Sequence, residues 1–324
     1  MAASLMMKRI SSPQIWSATP TPLTPEFQVD VPSVRRLVEH HVVSGITGLM
    51  LAGTCGEGPW LRERDRETLA RTAVEASAGR LRMAMQVTDN SVRRVLDNIE
   101  SAAGWGVELA VVSAPYFFFL ATADRQLAHY REIARRSPLP VGFYDRGAAA
   151  PYVLPEPQLD ELLAEPGVVM AKDSSTNESR LQRYLAARRR RPELLLLTGD
   201  EFTCAQYLRA GYNGALLGGG IFNGRLAARI MAAVRAGDFT TAEQLQARMN
   251  DLMYRVYGGP KIECWMTGLK ELLVQMGIFS HRNNLLGYPL TETCRAGISA
   301  AVSGADGLGF RADLFGMEAA GVAV

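Results

Sequence analysis

Lys172 follows the apolar run Val168-Val169-Met170-Ala171, which reads as a strand buried on both faces. Two readings are open for a lysine at the end of such a strand. It can be a surface charge that closes the strand. It can also be a desolvated amine with a lowered pKa, free to attack a carbonyl and form an imine. Two other places carry compatible chemistry. Tyr144 ends the run Val141-Gly142-Phe143, and Thr54 sits in the glycine-flanked loop Gly53-Thr54-Cys55-Gly56-Glu57. Taken singly each is ordinary: the tyrosine suits a core with its hydroxyl satisfied, and the glycines suit a tight turn.

The elements that would position these residues alternate regularly. Strand-like runs occur at 14–17, 48–53, 81–87, 109–114, 141–144, 168–172, 194–198 and 214–217, each followed by a helical segment. Helical spacing is clearest over 31–43, 63–78, 92–103 and 124–136, with Thr88-Asp89-Asn90 as a cap for the third of these. Eight such units predict an α/β fold, the (β/α)8 TIM barrel, over residues 1–235, close to the usual size of ~250 residues. An open doubly wound sheet is the alternative, weakened because no G-x-G-x-x-G follows the first strand. Segments 239–257, 263–276 and 292–302 predict a C-terminal helical extension over 236–303. The Gly- and Ala-rich stretch 304–324 reads as a mobile tail.

In such a barrel chemistry belongs at the C-terminal ends of the strands. That rim receives Thr54, Tyr116, Tyr144-Asp145, Lys172-Asp173, Gly199-Asp200-Glu201 and Gly218-Gly219-Gly220. A lysine, two tyrosines and a glycine-flanked hydroxyl on one rim are suited to binding a carbonyl compound.

Composition narrows the class. The chain has 324 residues, 48% of them hydrophobic and 21% charged, with a net charge of +2; nothing here favours nucleic acid or an anionic membrane as partner. Cys55, Cys204, Cys264 and Cys294 are widely spaced, which signals neither a zinc site nor a disulfide framework and suits a cytoplasmic setting. No run approaches the length of a membrane span, and residues 1–13 lack a signal-peptide core. Arg188-Arg189-Arg190-Arg191 reads as a solvated helix end, and His40 and His41 as helix surface or packing residues. Phe117-Phe118-Phe119-Leu120 reads as an oligomer contact or a pocket wall.

Three motifs in order carry a resemblance. Gly53-Thr54-Cys55-Gly56-Glu57, Phe143-Tyr144-Asp145 and Lys172-Asp173-Ser174-Ser175 resemble the loop, tyrosine and lysine motifs of the dihydrodipicolinate synthase/N-acetylneuraminate lyase family of class I pyruvate aldolases. The resemblance implies that Lys172 forms a covalent imine with a 2-oxo acid, with no metal and no other cofactor. It implies that Tyr144 moves protons with Thr54 as its hydrogen-bonded partner, since a tyrosine needs help to work near neutrality. The substrate-binding residues it implies are Thr54, Cys55, Tyr116 and Leu216, the N–H groups of Thr54 and Cys55 holding the carboxylate. It also implies a homotetramer, a dimer of dimers.

The chain departs from the family pattern at four places. Cys55 stands where many members have threonine, Phe117 where the synthases have a second tyrosine, and Tyr144-Asp145-Arg146-Gly147 replaces Y-N-x-P. An arginine that binds the incoming aldehyde's carboxylate in the lysine-biosynthetic synthases falls on Ala149. The expected activity is a lyase or aldolase acting on a hydroxylated 2-oxo-3-deoxy acid. Dehydration of a deoxy-keto sugar acid and synthase-like condensation are the alternatives within the class. A catalytically silent barrel that binds a small acid is the alternative outside it.

Overall fold

The computed structural model describes residues 14–117, 122–305 and 307–316. Eight parallel strands close into a barrel, each hydrogen-bonded to the next and the last to the first. They are β1 (Gln14–Ala18), β2 (Gly48–Leu51), β3 (Arg82–Gln86), β4 (Leu109–Val112), β5 (Val141–Asp145), β6 (Val168–Asp173), β7 (Leu195–Thr198) and β8 (Gly214–Leu217). The outer ring is α1 (Val31–Val43), α2 (Glu63–Ser77), α3 (Val92–Gly104), α4 (Ala123–Arg136), α5 (Glu156–Leu163), α6 (Glu178–Arg190), α7 (Cys204–Ala210) and α8 (Gly220–Arg235). Then α9 (Phe239–Tyr257), α10 (Trp265–Gln275), α11 (Glu292–Ser303) and α12 (Phe310–Phe315) pack on the barrel. The fold is the (β/α)8 barrel with a C-terminal helical extension.

Strand side chains alternate between two cores. One fills the barrel and includes Trp16, Met50, Val111, Met170, Leu197 and Leu216. The other lies between strands and helices and includes Leu49, Leu51, Phe143, Ala171 and Leu196. Helix entry is set locally: Asp30, Ser91, Thr122 and Asn177 each accept a backbone N–H from the first turn of α1, α3, α4 and α6. The α3 cap is thus Ser91, one residue beyond the expected Thr88-Asp89-Asn90.

One irregularity decides where the lysine points. β5 and β6 pair Val141 with Val168 but Gly142 with Met170, a bulge that skips Val169. Shifting by one residue exchanges the faces of a strand. Beyond the bulge Tyr144 pairs with Lys172, and Asp145 with Asp173.

The bland sequence features have local explanations. His41 is buried with Nδ1 2.7 Å from the Leu37 carbonyl, and His40 Nε2 lies 2.8 Å from the Ile221 carbonyl. Arg188 and Arg191 donate to the carbonyls of Gly211, Leu163 and Glu165; they satisfy carbonyls at the ends of neighbouring helices rather than only meeting solvent. Phe117 is 75% exposed, and residues 118–120 of its apolar run lie outside the described residues. The stretch expected to be a mobile tail contains α12, which buries Phe310 and Leu314 against the body of the molecule. Its six-residue periodicity is too short to register in a Gly-rich background. Residues 317–324 lie outside the described residues, as do 1–13.

Candidate active site

Strand alternation turns Tyr144 and Lys172 toward the barrel axis and the next residues, Asp145 and Asp173, toward the helices. Lys172 is 4% exposed and Tyr144 8%; the ammonium lies over the phenol ring, 4.3 Å from its centroid. Among the described residues Lys172 makes no hydrogen bond or ion pair. Outside, Asp145 accepts from Arg180 Nε at 2.7 Å, from the Tyr184 hydroxyl at 2.8 Å and from the Gly147 N–H at 3.0 Å. Asp173 accepts from Tyr212 at 2.8 Å and Ser175 N–H at 2.9 Å, and burial together with nearby Asp145 pushes its pKa up. The departure at Asp145 is therefore balanced by a buried arginine, and both strand ends are anchored behind the face that carries Tyr144 and Lys172.

The β2 loop is wound tightly. Ala52 and Glu57 hold positive φ, 52° and 56°, a strained choice for residues with a Cβ. A Cβ on Gly58 would come within 1.8 Å of the Ala52 carbonyl oxygen, so only glycine closes the turn. Glu57 is clamped by the buried Lys270 of α10 and by the Leu285 N–H. Among the described residues, neither the Thr54 nor the Cys55 backbone N–H donates to another residue. Two adjacent N–H groups on a fixed turn, neither given to another of the described residues, are suited to a carboxylate.

A cavity of about 590 Å³ opens over this rim, lined by Thr54, Cys55, Tyr144, Ala149, Lys172 and Glu201 among others. Its size is within the range of small-molecule sites and roomier than a three-carbon acid needs. Gly199 keeps the space beside the lysine empty: a Cβ there would lie 2.7 Å from Lys172 Cε and clash with Ser174 Oγ. Gly218 does the same where Cys55 Sγ and Glu201 Oε1 converge.

The sequence-predicted residues are distributed unevenly. Lys172, Tyr144, Thr54 and Cys55 line the one cavity. Among the described residues Thr54 and Tyr144 share this cavity without a direct hydrogen bond between them. Cys55 is buried, and burial with the Glu201 carboxyl beside it pushes its thiol up to about 12; it is a neutral group at ordinary pH. Tyr116 lines an adjoining cavity with Thr54, Gln86 and Arg146. Leu216, expected at the substrate, lies instead in the barrel-filling core, paired with Trp16 of β1. It sits below the rim, and the next residue on its face, Gly218, is the one that lines the cavity.

Glu201 was not among the expected site residues. Buried, it accepts from the Gly219 N–H and, at 3.2 Å, from the Tyr257 hydroxyl; burial raises its pKa despite the pull of Lys172. Its signal was a carboxylate just past the end of strand seven. The outer wall is formed by Lys261, Ile262, Trp265 and Tyr288, the last two rings meeting edge to face at 5.5 Å. No pattern near the strands points to them.

The model of the dihydrodipicolinate synthetase family matches residues 11–303. A 4-hydroxy-tetrahydrodipicolinate synthase of Methylococcus capsulatus is 28% identical over 287 residues, covering 88% of this chain and 96% of that protein. The solved dihydrodipicolinate synthase of Thermotoga maritima superposes with a TM-score of 0.82 at 20% identity, covering 92% of this chain and 99% of the other. YagE of E. coli K12, a prophage protein of the dihydrodipicolinic acid synthase family solved with pyruvate, gives 0.79 at 21% identity and covers 90% and 98%. With the buried lysine, its tyrosine and the open cavity above them, these matches make the chain a member of the dihydrodipicolinate synthetase family, lyases and aldolases that work through a lysine imine.

Proposed function

We propose that Lys172 forms the imine and that the physiological reaction is cleavage of a hydroxylated 2-oxo-3-deoxy acid to pyruvate and an aldehyde. The observation that carries this is Lys172 itself: buried, without a hydrogen-bond or ion-pair partner among the described residues, against Tyr144 and under empty space held open by Gly199. Its nitrogen attacks C2, and loss of water leaves a protonated imine. Removal of the C4 hydroxyl proton breaks the C3–C4 bond; that electron pair forms the C2–C3 double bond while the imine pair settles on nitrogen. The aldehyde leaves, C3 takes a proton, and water at C2 releases pyruvate and the amine. Tyr144 is the proton carrier nearest the lysine, Thr54 its partner across the cavity, and the Thr54 and Cys55 N–H groups hold the C1 carboxylate. The enzyme acts without metal or other cofactor, in the cytoplasm, as a homotetramer; among the described residues no helix is long and apolar enough to cross a membrane.

Two features favour cleavage over condensation with aspartate semialdehyde. Ala149 lines the cavity, and its methyl group leaves a carboxylate on the β5-loop side without a cation to pair with. Phe117 has no hydroxyl to offer a proton relay. A coupled assay with pyruvate and aspartate semialdehyde should give negligible turnover; a normal biosynthetic rate would reverse the choice. Dehydration is the second reading, favoured by Glu201, a carboxyl whose raised pKa equips it to protonate a departing C4 hydroxyl.

The test of the imine is direct. Incubation with pyruvate and borohydride should add one reduced pyruvyl group, mapping to Lys172 by peptide mass. An adduct on any other residue would refute the assignment.

A further inference from the structure

Between α9 and α10 the chain runs Gly258-Gly259-Pro260-Lys261-Ile262. The Ile262 N–H donates to the Gly259 carbonyl at 2.9 Å, which makes Gly259–Ile262 a four-residue turn. Pro260 occupies its second position, where a fixed φ suits a turn, and Lys261 its third. On either side the backbone is unusual. Gly258 and Gly259 have φ of 82° and 89°, and Ile262 has φ of 55°, a conformation a β-branched residue rarely adopts. Strain of this kind persists where surroundings impose it, and it gathers at ligand sites. Here its consequence is to hold Lys261 at the cavity mouth.

Among the described residues Lys172 and Lys261 are the lysines that line the cavity, and no arginine lines it. The wall's carboxyls are already engaged: Asp200 by Thr203 Oγ1 at 2.5 Å and the Phe202 N–H at 3.0 Å, Glu201 by Gly219 and Tyr257. Lys261 itself makes no ion pair or hydrogen bond among the described residues. A cation held over a cavity by a strained turn, with no internal partner, is suited to a charge that arrives with the substrate.

We propose that Lys261 is a specificity-determining residue that binds an anionic group at the far end of the substrate, so that the preferred substrates are 2-oxo acids with a second, distal carboxylate. This rests on the imine reading above and extends it to the other end of the cavity. Lys261 comes from the C-terminal segment, not from the β5 loop that carries Ala149, so it receives the distal carboxylate from a different wall than the synthase arginine would.

The experiment uses imine trapping as a binding readout and needs no knowledge of the natural substrate. Linear 2-oxo diacids of five to seven carbons are each compared with the 2-oxo monoacid of equal length, following borohydride-trapped adduct against ligand concentration by intact mass. At one length or more the diacid should half-saturate at about tenfold lower concentration, a modest factor because an exposed ammonium is screened by solvent. Lys261→Gln should bring that ratio close to one, Lys261→Arg should retain most of it, and both should trap pyruvate as the unmodified protein does. Equal trapping of diacid and monoacid at every length, or a preference that survives in Lys261→Gln, overturns the proposal and leaves the imine reading standing. Failure of pyruvate itself to be trapped at Lys172 overturns both.

Discussion

Lys172 and Lys270 are both buried, at 4% and 0% exposure, yet their surroundings differ in kind. Lys270 is enclosed on all sides, paired with the fully buried Glu57 and donating to the Asn283 carbonyl at 2.7 Å. Lys172 has an aromatic ring beneath it, a cavity above it and, among the described residues, no hydrogen-bond or ion-pair partner. Burial alone therefore does not make a lysine reactive. An ammonium whose hydrogens are committed to a carboxylate and a carbonyl is a structural fastener, here tying the β2 loop to α10. One left without acceptors beside open space is placed to meet a carbonyl carbon.

The two should separate completely on mutation. Lys172→Ala should abolish both the pyruvate adduct and turnover, with the melting temperature largely kept, since no other amine on the cavity floor can replace it. Residual turnover near the unmodified rate would mean that the contrast between the two lysines has no catalytic content.

Tyr144→Phe keeps the ring under Lys172 and removes its proton. Loss of a general acid–base group costs on the order of 10²–10⁴ in rate, so turnover should fall by that factor with little thermal change. Survival of activity within about twofold, roughly 0.4 kcal/mol, would reduce Tyr144 to packing.

Lys270→Met inverts the pattern. It strands Glu57 as a buried, uncompensated charge, which costs about 3–5 kcal/mol and should appear as a large drop in denaturant midpoint. Folded protein should still be trapped by pyruvate at Lys172. The double variant Glu57→Gln with Lys270→Met should recover much of the stability, because the lone charge is gone. A single variant as stable as the unmodified protein would show that the pair fastens nothing.

The smallest effect extends the same rule to imidazole in the helical shell. Burial holds His41 down to about 3 and His129 down to about 4, and the Nε2 atom of each has no hydrogen-bond partner among the described residues. Both fold as neutral rings, so the folded state binds fewer protons than the unfolded one once pH drops below about 6.5. Their contribution to stability is complete above that pH and declines from there toward pH 3 to 4. By pH 5 each should have cost about 1–2 kcal/mol, measurable as a falling denaturant midpoint between pH 7.5 and 5. A flat profile would mean that both rings can reach water when protonated.

Much of this was legible in order along the chain. Parallel barrel strands are buried on both faces and read as short apolar runs, so all eight could be found. The pair proposed to react stood out because each member ends such a run: Tyr144 after Val141-Gly142-Phe143, Lys172 after Val168-Val169-Met170-Ala171. Thr54 and Cys55 were legible from the glycines around them. Leu216 was misplaced because sequence marks the strand but not how far below the rim a residue sits. The helix at Phe310–Phe315 escaped because six residues among glycines leave too little period to detect.

What the sequence determined by itself, then, is the chemistry, through residue types at the ends of recurring units. What only the tertiary structure decided is phase and company. The bulge that skips Val169 brings Lys172 beside Tyr144, and no apolar pattern records a one-residue offset between strands. Glu57 meets Lys270 across 213 residues, and Lys261 reaches the cavity from a turn beyond the barrel. Such contacts are invisible along a chain because burial and charge pairing act through space, between segments whose own local patterns are complete without each other.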